Sequence, residues 1–137
     1  MGETGSGKTT QVPKIIYKNL PLNNKIICIT QPRRVAAISM RVSEELKSPI
    51  GNLVGYSVRF KEKFSQKTKI KYVTDGMLVR ECIIDKYLSK YSYIILDEIH
   101  ERSIHSNILI SIYKDLIINK KRNELKLIIM SATLNPN

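Results

Sequence analysis

"MGETGSGKTT", residues 1–10, decides how the rest of the chain is read. Gly2 to Thr9 spell a complete phosphate-binding loop, G-x-x-x-x-G-K-[ST]. Glycines at 2, 5 and 7 let the backbone curl until successive N–H groups face phosphate oxygens, and the following helix adds its positive N-terminal end. Lys8 has the reach for the β- and γ-phosphates, and the Thr9 hydroxyl suits Mg²⁺. The expected nucleotide contacts are therefore Gly2, Glu3, Thr4, Gly5, Ser6, Gly7, Lys8, Thr9 and Thr10. Such a loop normally joins a buried strand to a helix, yet only Met1 precedes it here. The expectation is a site lacking that strand, with unpaired N–H and C=O groups on strands in the middle of the sheet.

Outward from the loop, apolar runs alternate with helical patterns. "KIICIT" (25–30), "KIKYVT" (69–74), "YIILDE" (93–98) and "LKLIIMS" (125–131) read as strands, and "LVGYSVRF" (53–60) as a more polar one nearer an edge. Most are nearly continuous apolar runs, as strands covered on both faces require. Helices are expected over 8–20, 35–46, 75–85 and about 105–119, the last with an apolar stripe of Ile108, Leu109, Ile112, Leu116 and Ile117. Pro13 falls early in the first helix, where its missing N–H costs less. The polar stretch 61–67 reads as a surface loop. Strands alternating with helices predict an α/β fold with a doubly wound, mostly parallel sheet.

The chemistry-bearing residues all fall just past strands. Asp97 and Glu98 end an apolar strand downstream of the phosphate loop, the pattern by which NTPases hold metal and activate water. Asp97 would meet Mg²⁺ partly through its hydration shell, as that ion keeps several waters; Glu98 would orient or deprotonate the attacking water. Arg33 and Arg34 follow another strand, where guanidinium forks suit phosphate oxygens. Thr74 offers a hydroxyl and Asp75 an N-cap for the next helix. Ser131 and Thr133 place two more hydroxyls past the last strand. In open α/β sheets ligands bind outside the carboxyl ends of strands, so these groups are expected to share one site. "HERSIH" (100–105) nearly spells a zinc motif, but imidazoles at i, i+5 on a helix point about 140° apart and cannot share a metal.

At 137 residues the chain is one domain's worth, with 42% hydrophobic and 26% charged residues. Its net charge of +11 favours polyanionic partners, nucleic acid first, although a composition rich in Ile, Lys and Asn could itself supply part of that surplus. Cys28 and Cys82 match no metal or redox spacing and read as buried, reduced thiols in a reducing, intracellular compartment. No apolar run is long enough to span a bilayer, so no membrane partner is expected. The "MGETGS" match to a myristoylation pattern is explained by the phosphate loop itself.

"GETGSGKTTQ", "TQPRRVAA", "VGYSVRF", "TDGMLVRE", "LDEIHERS" and "MSATL" together resemble, in order and spacing, the motifs of the first RecA-like domain of DEAH-box RNA helicases. The resemblance covers Gly2 to about Leu134. It implies a RecA-like P-loop NTPase domain spanning residues 1–137, truncated at both ends, with the second RecA-like domain absent. It further implies an ATP- or other NTP-dependent, Mg²⁺-requiring motor on single-stranded RNA. In that family the matches to Lys8, Thr9, Asp97 and Glu98 bind and hydrolyse Mg·NTP, and the match to His100 links the nucleotide site to the coupling motif. The matches to Ser131 and Thr133 couple hydrolysis to movement. Those to Arg33, Arg34, Thr74 and Asp75 hold RNA, and Arg41 resembles an arginine that stacks on the base. An activator protein or a ribonucleoprotein and a nuclear location, with the cytoplasm as the other option, are implied the same way.

The chain departs from the pattern at Ile99, where the family has alanine, and is about two residues shorter between "PRR" and "RVSEE". Two further readings stand beside the helicase: a non-catalytic nucleotide- or RNA-binding module acting only with a partner, and a P-loop NTPase working on something other than nucleic acid. Arg33, Arg34 and the net charge count against the last. Because the arginine fingers belong to the second domain, the chain by itself is expected to bind nucleotide weakly and unwind nothing.

Overall fold

A computed structural model describes residues 6–22, 24–97, 104–119, 121–122 and 124–130. Helix α1 (Ser6–Asn19) leads into β1 (Ile26–Thr30), α2 (Val35–Glu45), β2 (Val54–Val58), β3 (Lys61–Lys63) and β4 (Ile70–Val73). Helix α3 (Asp75–Ile84), β5 (Tyr91–Leu96), α4 (Ile104–Ile118) and β6 (Lys126–Ile129) follow. The strands form one sheet in the order β3-β2-β4-β1-β5-β6. All its pairings are parallel except that of β2 with β3. The expected doubly wound, RecA-like α/β architecture is present.

The alternation of side chains along parallel strands divides the core in two. Ile27, Ile29, Ile70, Tyr72, Tyr93 and Ile95 face one side, where Ile16 of α1 and Val35 and Val42 of α2 cover them. Cys28, Val73, Ile94 and Leu96 face the other, under Leu78 of α3 and Leu109 and Leu116 of α4. Ile108, assigned to the α4 stripe from sequence, is instead exposed.

Three expectations are corrected. The middle of the sheet has no gap: β1 pairs on both sides, with β4 and β5, and β5 also pairs with β6. Among the described residues β6, with Ile129 half exposed, has β5 as its one partner, so the open edge lies at the end of the sheet. Second, part of the expected loop 61–67 is strand. Arg59 and Phe60 form a two-residue turn, Phe60 takes a positive φ of 70°, and Lys61–Lys63 returns antiparallel along β2. Its three residues are all exposed, so no alternation could mark it, and a Lys-Glu-Lys edge resists pairing with other chains. Third, only Cys28 is fully buried, while Cys82 is half-buried. Burial pushes the Cys28 thiol well above its ordinary pKa and that of Cys82 up to about 11, so both stay protonated at neutral pH.

Candidate nucleotide and metal site

The strand ends are level. Thr30, the last residue of β1, sits beside Val73 of β4 and Leu96 of β5. Gln31, Thr74 and Asp97 therefore emerge together at the carboxyl edge of three adjacent strands, where the strand order switches direction. Helix α1 runs over the same edge and turns Thr9 and Thr10 inward, both buried, with Lys8 exposed.

The Thr9 hydroxyl donates to Oδ2 of Asp97 at 2.5 Å across 88 residues of sequence. Asp97 is only 5% exposed, and a buried carboxylate needs such donors. The amide of Gln31, also buried, donates to the same Oδ2. The Asp97 backbone N–H reaches the Thr30 hydroxyl at 3.4 Å. Beneath Thr9, the phenol of Tyr72 donates to the Thr9 carbonyl at 2.9 Å.

These oxygens fit a hard divalent cation. A hydroxyl has one proton and two lone pairs, so Thr9 can donate to Asp97 and still offer oxygen to metal. Among the described residues no group of three or more His, Cys, Asp or Glu side chains converges. A sparse donor set of this kind suits Mg²⁺, which binds through one or two protein oxygens plus phosphates and water.

Sequence reasoning also named residues that the structure places at the rim. Arg33 and Arg34 are exposed at the end of β1. Arg34 takes a left-handed backbone, φ 60° and ψ 26°, at the N-cap of α2, with no side-chain cap for that helix. Thr74, not Asp75, is the N-cap of α3: its Oγ1 accepts from the Met77 N–H at 3.3 Å. The extended φ and ψ of Thr74 explain this, since an N-cap is non-helical while Asp75 is already the first helical residue. Asp75 instead places its charge in the first turn, where the helix dipole favours it. Arg41 lies exposed on α2 and pairs with Glu45 at 3.6 Å. Gly2, Glu3, Thr4, Gly5, Glu98, His100, Ser131 and Thr133 lie outside the described residues, and Ser6 and Gly7 are described only as the start of α1.

Gln31, Thr30 and Tyr72 were not among the expected site residues. Gln31 stood inside the quoted "TQPRRVAA", where a polar residue directly after an apolar strand was the available signal. Tyr72 lies within a strand, and nothing in its spacing pointed toward Thr9.

A family model for the DEAD/DEAH box helicases matches residues 1–137. The chain belongs to the DEAD/DEAH box helicase family. It is similar to "ATP-dependent RNA helicase DHX33" of Mus musculus, 52% identical over 142 residues, covering 98% of this chain and 20% of that protein. It is also similar to "Pre-mRNA-splicing factor ATP-dependent RNA helicase prp22" of Schizosaccharomyces pombe, 51% identical over 138 residues, covering 98% of this chain and 12% of that protein. The chain thus spans about a fifth or less of these curated relatives. Among the described residues no helix is long and apolar enough to cross a membrane.

Proposed function

We propose that this chain is the first RecA-like domain of an ATP-dependent RNA helicase and holds Mg·ATP, or another Mg·NTP, between the phosphate loop and β5. The observation that supports it best is the Thr9–Asp97 bond, which unites the last residue of the loop motif with the first carboxylate of the D-E-I-H motif. Lys8 would compensate phosphate charge; Thr9 and Asp97 would hold the ion, Asp97 partly through water. The bound ion would neutralise charge on the nucleotide phosphates. Glu98 is assigned to orienting the attacking water, His100 to the link toward Ser131 and Thr133, and those two hydroxyls to coupling. Arg41 is assigned, by family resemblance, to the base.

RNA would cross the rim formed by Arg33, Arg34, Thr74 and Asp75. The uncapped start of α2 supports this, because its first N–H groups suit a backbone phosphate beside two guanidinium groups. The relatives' names and the net charge of +11 agree with a sequence-independent hold on single-stranded RNA. A second RecA-like domain, an activator or ribonucleoprotein partner, and a nuclear or cytoplasmic setting belong to the same proposal.

RNA affinity measured against salt tests it. Single-strand binding loses about 0.7 in log–log slope per phosphate contact. Replacing Arg33 and Arg34 together by alanine should flatten the slope for an oligouridine by about 1.4. A wild-type affinity indifferent to salt would count against the RNA rim.

A further inference from the structure

Pro13, expected early in the first helix, lies instead at the eighth of the 14 positions of α1, because the helix begins at Ser6, so it interrupts the helix's own bonding. In an α-helix the carbonyl of residue 9 accepts from the N–H of residue 13, and proline has none. The carbonyl left over is that of Thr9, the residue whose hydroxyl meets Asp97. Thr9 is buried, and an unpaired buried carbonyl is costly. Tyr72 supplies the missing donor at 2.9 Å, reaching across from β4 with its ring fully buried. Burial, with the Asp97 charge adding to it, pushes the phenol well above its ordinary pKa, so it remains a donor at every physiological pH.

We infer that Tyr72 is a positioning residue of the nucleotide site: its hydroxyl replaces the helical bond that Pro13 removes and fixes the turn of α1 that carries Thr9. The inference rests on the reading of Thr9 as a metal-side ligand. A helix-internal bond would tie Thr9 only to its own helix. The bond to Tyr72 ties it to the sheet, and so to Asp97 at the end of a nearby strand. Displacement of a ligating group by about an ångström is enough to cost orders of magnitude at a reacting site. The phosphate grip depends on the loop N–H groups rather than on this carbonyl, so the effect should appear only with metal present.

A binding cycle with the fluorescent nucleotide mant-ADP decides it, titrated in MgCl₂ and again in EDTA. Tyr72→Phe should weaken binding about tenfold in MgCl₂, the usual size of an outer-shell loss, and leave binding in EDTA within about twofold. Pro13→Ala restores the N–H of residue 13, so Pro13→Ala/Tyr72→Phe should return to within about threefold of wild type in MgCl₂. Thermal melting of the four proteins shows whether each is folded. Equal weakening in MgCl₂ and EDTA, or no recovery in the double variant, overturns the inference. If wild type binds no mant-ADP at all, the nucleotide reading itself fails, which differs visibly from a wild type that binds and a Tyr72→Phe that matches it. Should Tyr72→Phe fail to fold, the comparison of Pro13→Ala with the double variant still decides. In that pair the inference requires the phenol to be nearly dispensable.

Discussion

Joined to the second RecA-like domain of a relative such as DHX33, this chain should hydrolyse ATP in the presence of RNA about 10³ to 10⁵ times faster than alone. The proposed site would account for one side of the reaction. On the proposed reading Thr9 and Asp97 would furnish oxygens for the ion, and Lys8 is exposed. Charge that develops on the transferred phosphoryl group needs cations aimed at it from the opposite side. Several described arginines are engaged elsewhere. Arg122 is buried against the carbonyls of Tyr87, Leu88 and Tyr91, Arg41 pairs with Glu45, and Arg59 lies 4.9 Å from the Phe60 ring. The joined protein carrying Lys8→Ala should return to background in a phosphate-release assay. A joined, folded protein that shows no RNA-stimulated hydrolysis would sink the helicase reading.

The largest stability effect should come from Lys71→Met, a loss of about 3 kcal/mol in denaturant unfolding and about 10 °C in melting temperature. Lys71 points to the α3 face of the sheet and is only 4% exposed. Its ammonium lies 3.1 Å from Glu81, 3.3 Å from the Tyr91 hydroxyl and 4.0 Å from the centre of the Phe64 ring. The Tyr91 hydroxyl in turn donates to Glu81 at 2.5 Å. Removing the cation leaves a part-buried carboxylate uncompensated, which is why breaking such a pair costs more than the pair contributes. The lower end of the usual 3–5 kcal/mol applies because the Glu81 side chain keeps 21% exposure to water. Lys71→Met/Glu81→Leu should recover most of the loss, since an apolar pair can replace a buried ion pair. A double variant no more stable than Lys71→Met would show that the ion pair is not the cause.

What the sequence disclosed follows from which forces are local. Runs of apolar and β-branched residues mark strands, so β1, β4, β5 and β6 could be placed within a residue or two, although β6 is only partly covered. Their level ends follow from the parallel register, and with them the meeting of Thr9 and Asp97. Strand β3 could not be read because Lys61, Glu62 and Lys63 bury nothing; only the backbone ladder to β2 makes them a strand. The N-cap was misplaced by one residue because Thr and Asp both cap helices and only backbone geometry separates them. Gln31 and Tyr72 escaped notice for another reason: their bonds to Asp97 and Thr9 close over 66 and 63 residues, and no periodicity spans that distance.

Arg34, like Asn24, Lys47, Phe60 and Leu88, takes a positive φ at a non-glycine residue. A left-handed backbone at a non-glycine residue is disfavoured by roughly 1–2 kcal/mol, and glycine would adopt it freely. Glycine would also give back about 0.4–1 kcal/mol of that through a looser unfolded chain. Arg34→Gly should therefore melt within about 2 °C of wild type, the shift expected for roughly 0.5 kcal/mol, while binding oligouridine more weakly. A large change in melting temperature would show that the guanidinium supports the fold. The position is one where selection had a near-neutral alternative for stability, and what sits there is a permanent positive charge. If Arg34 holds RNA as proposed, residue choice at the turn into α2 would answer to the ligand rather than to the fold.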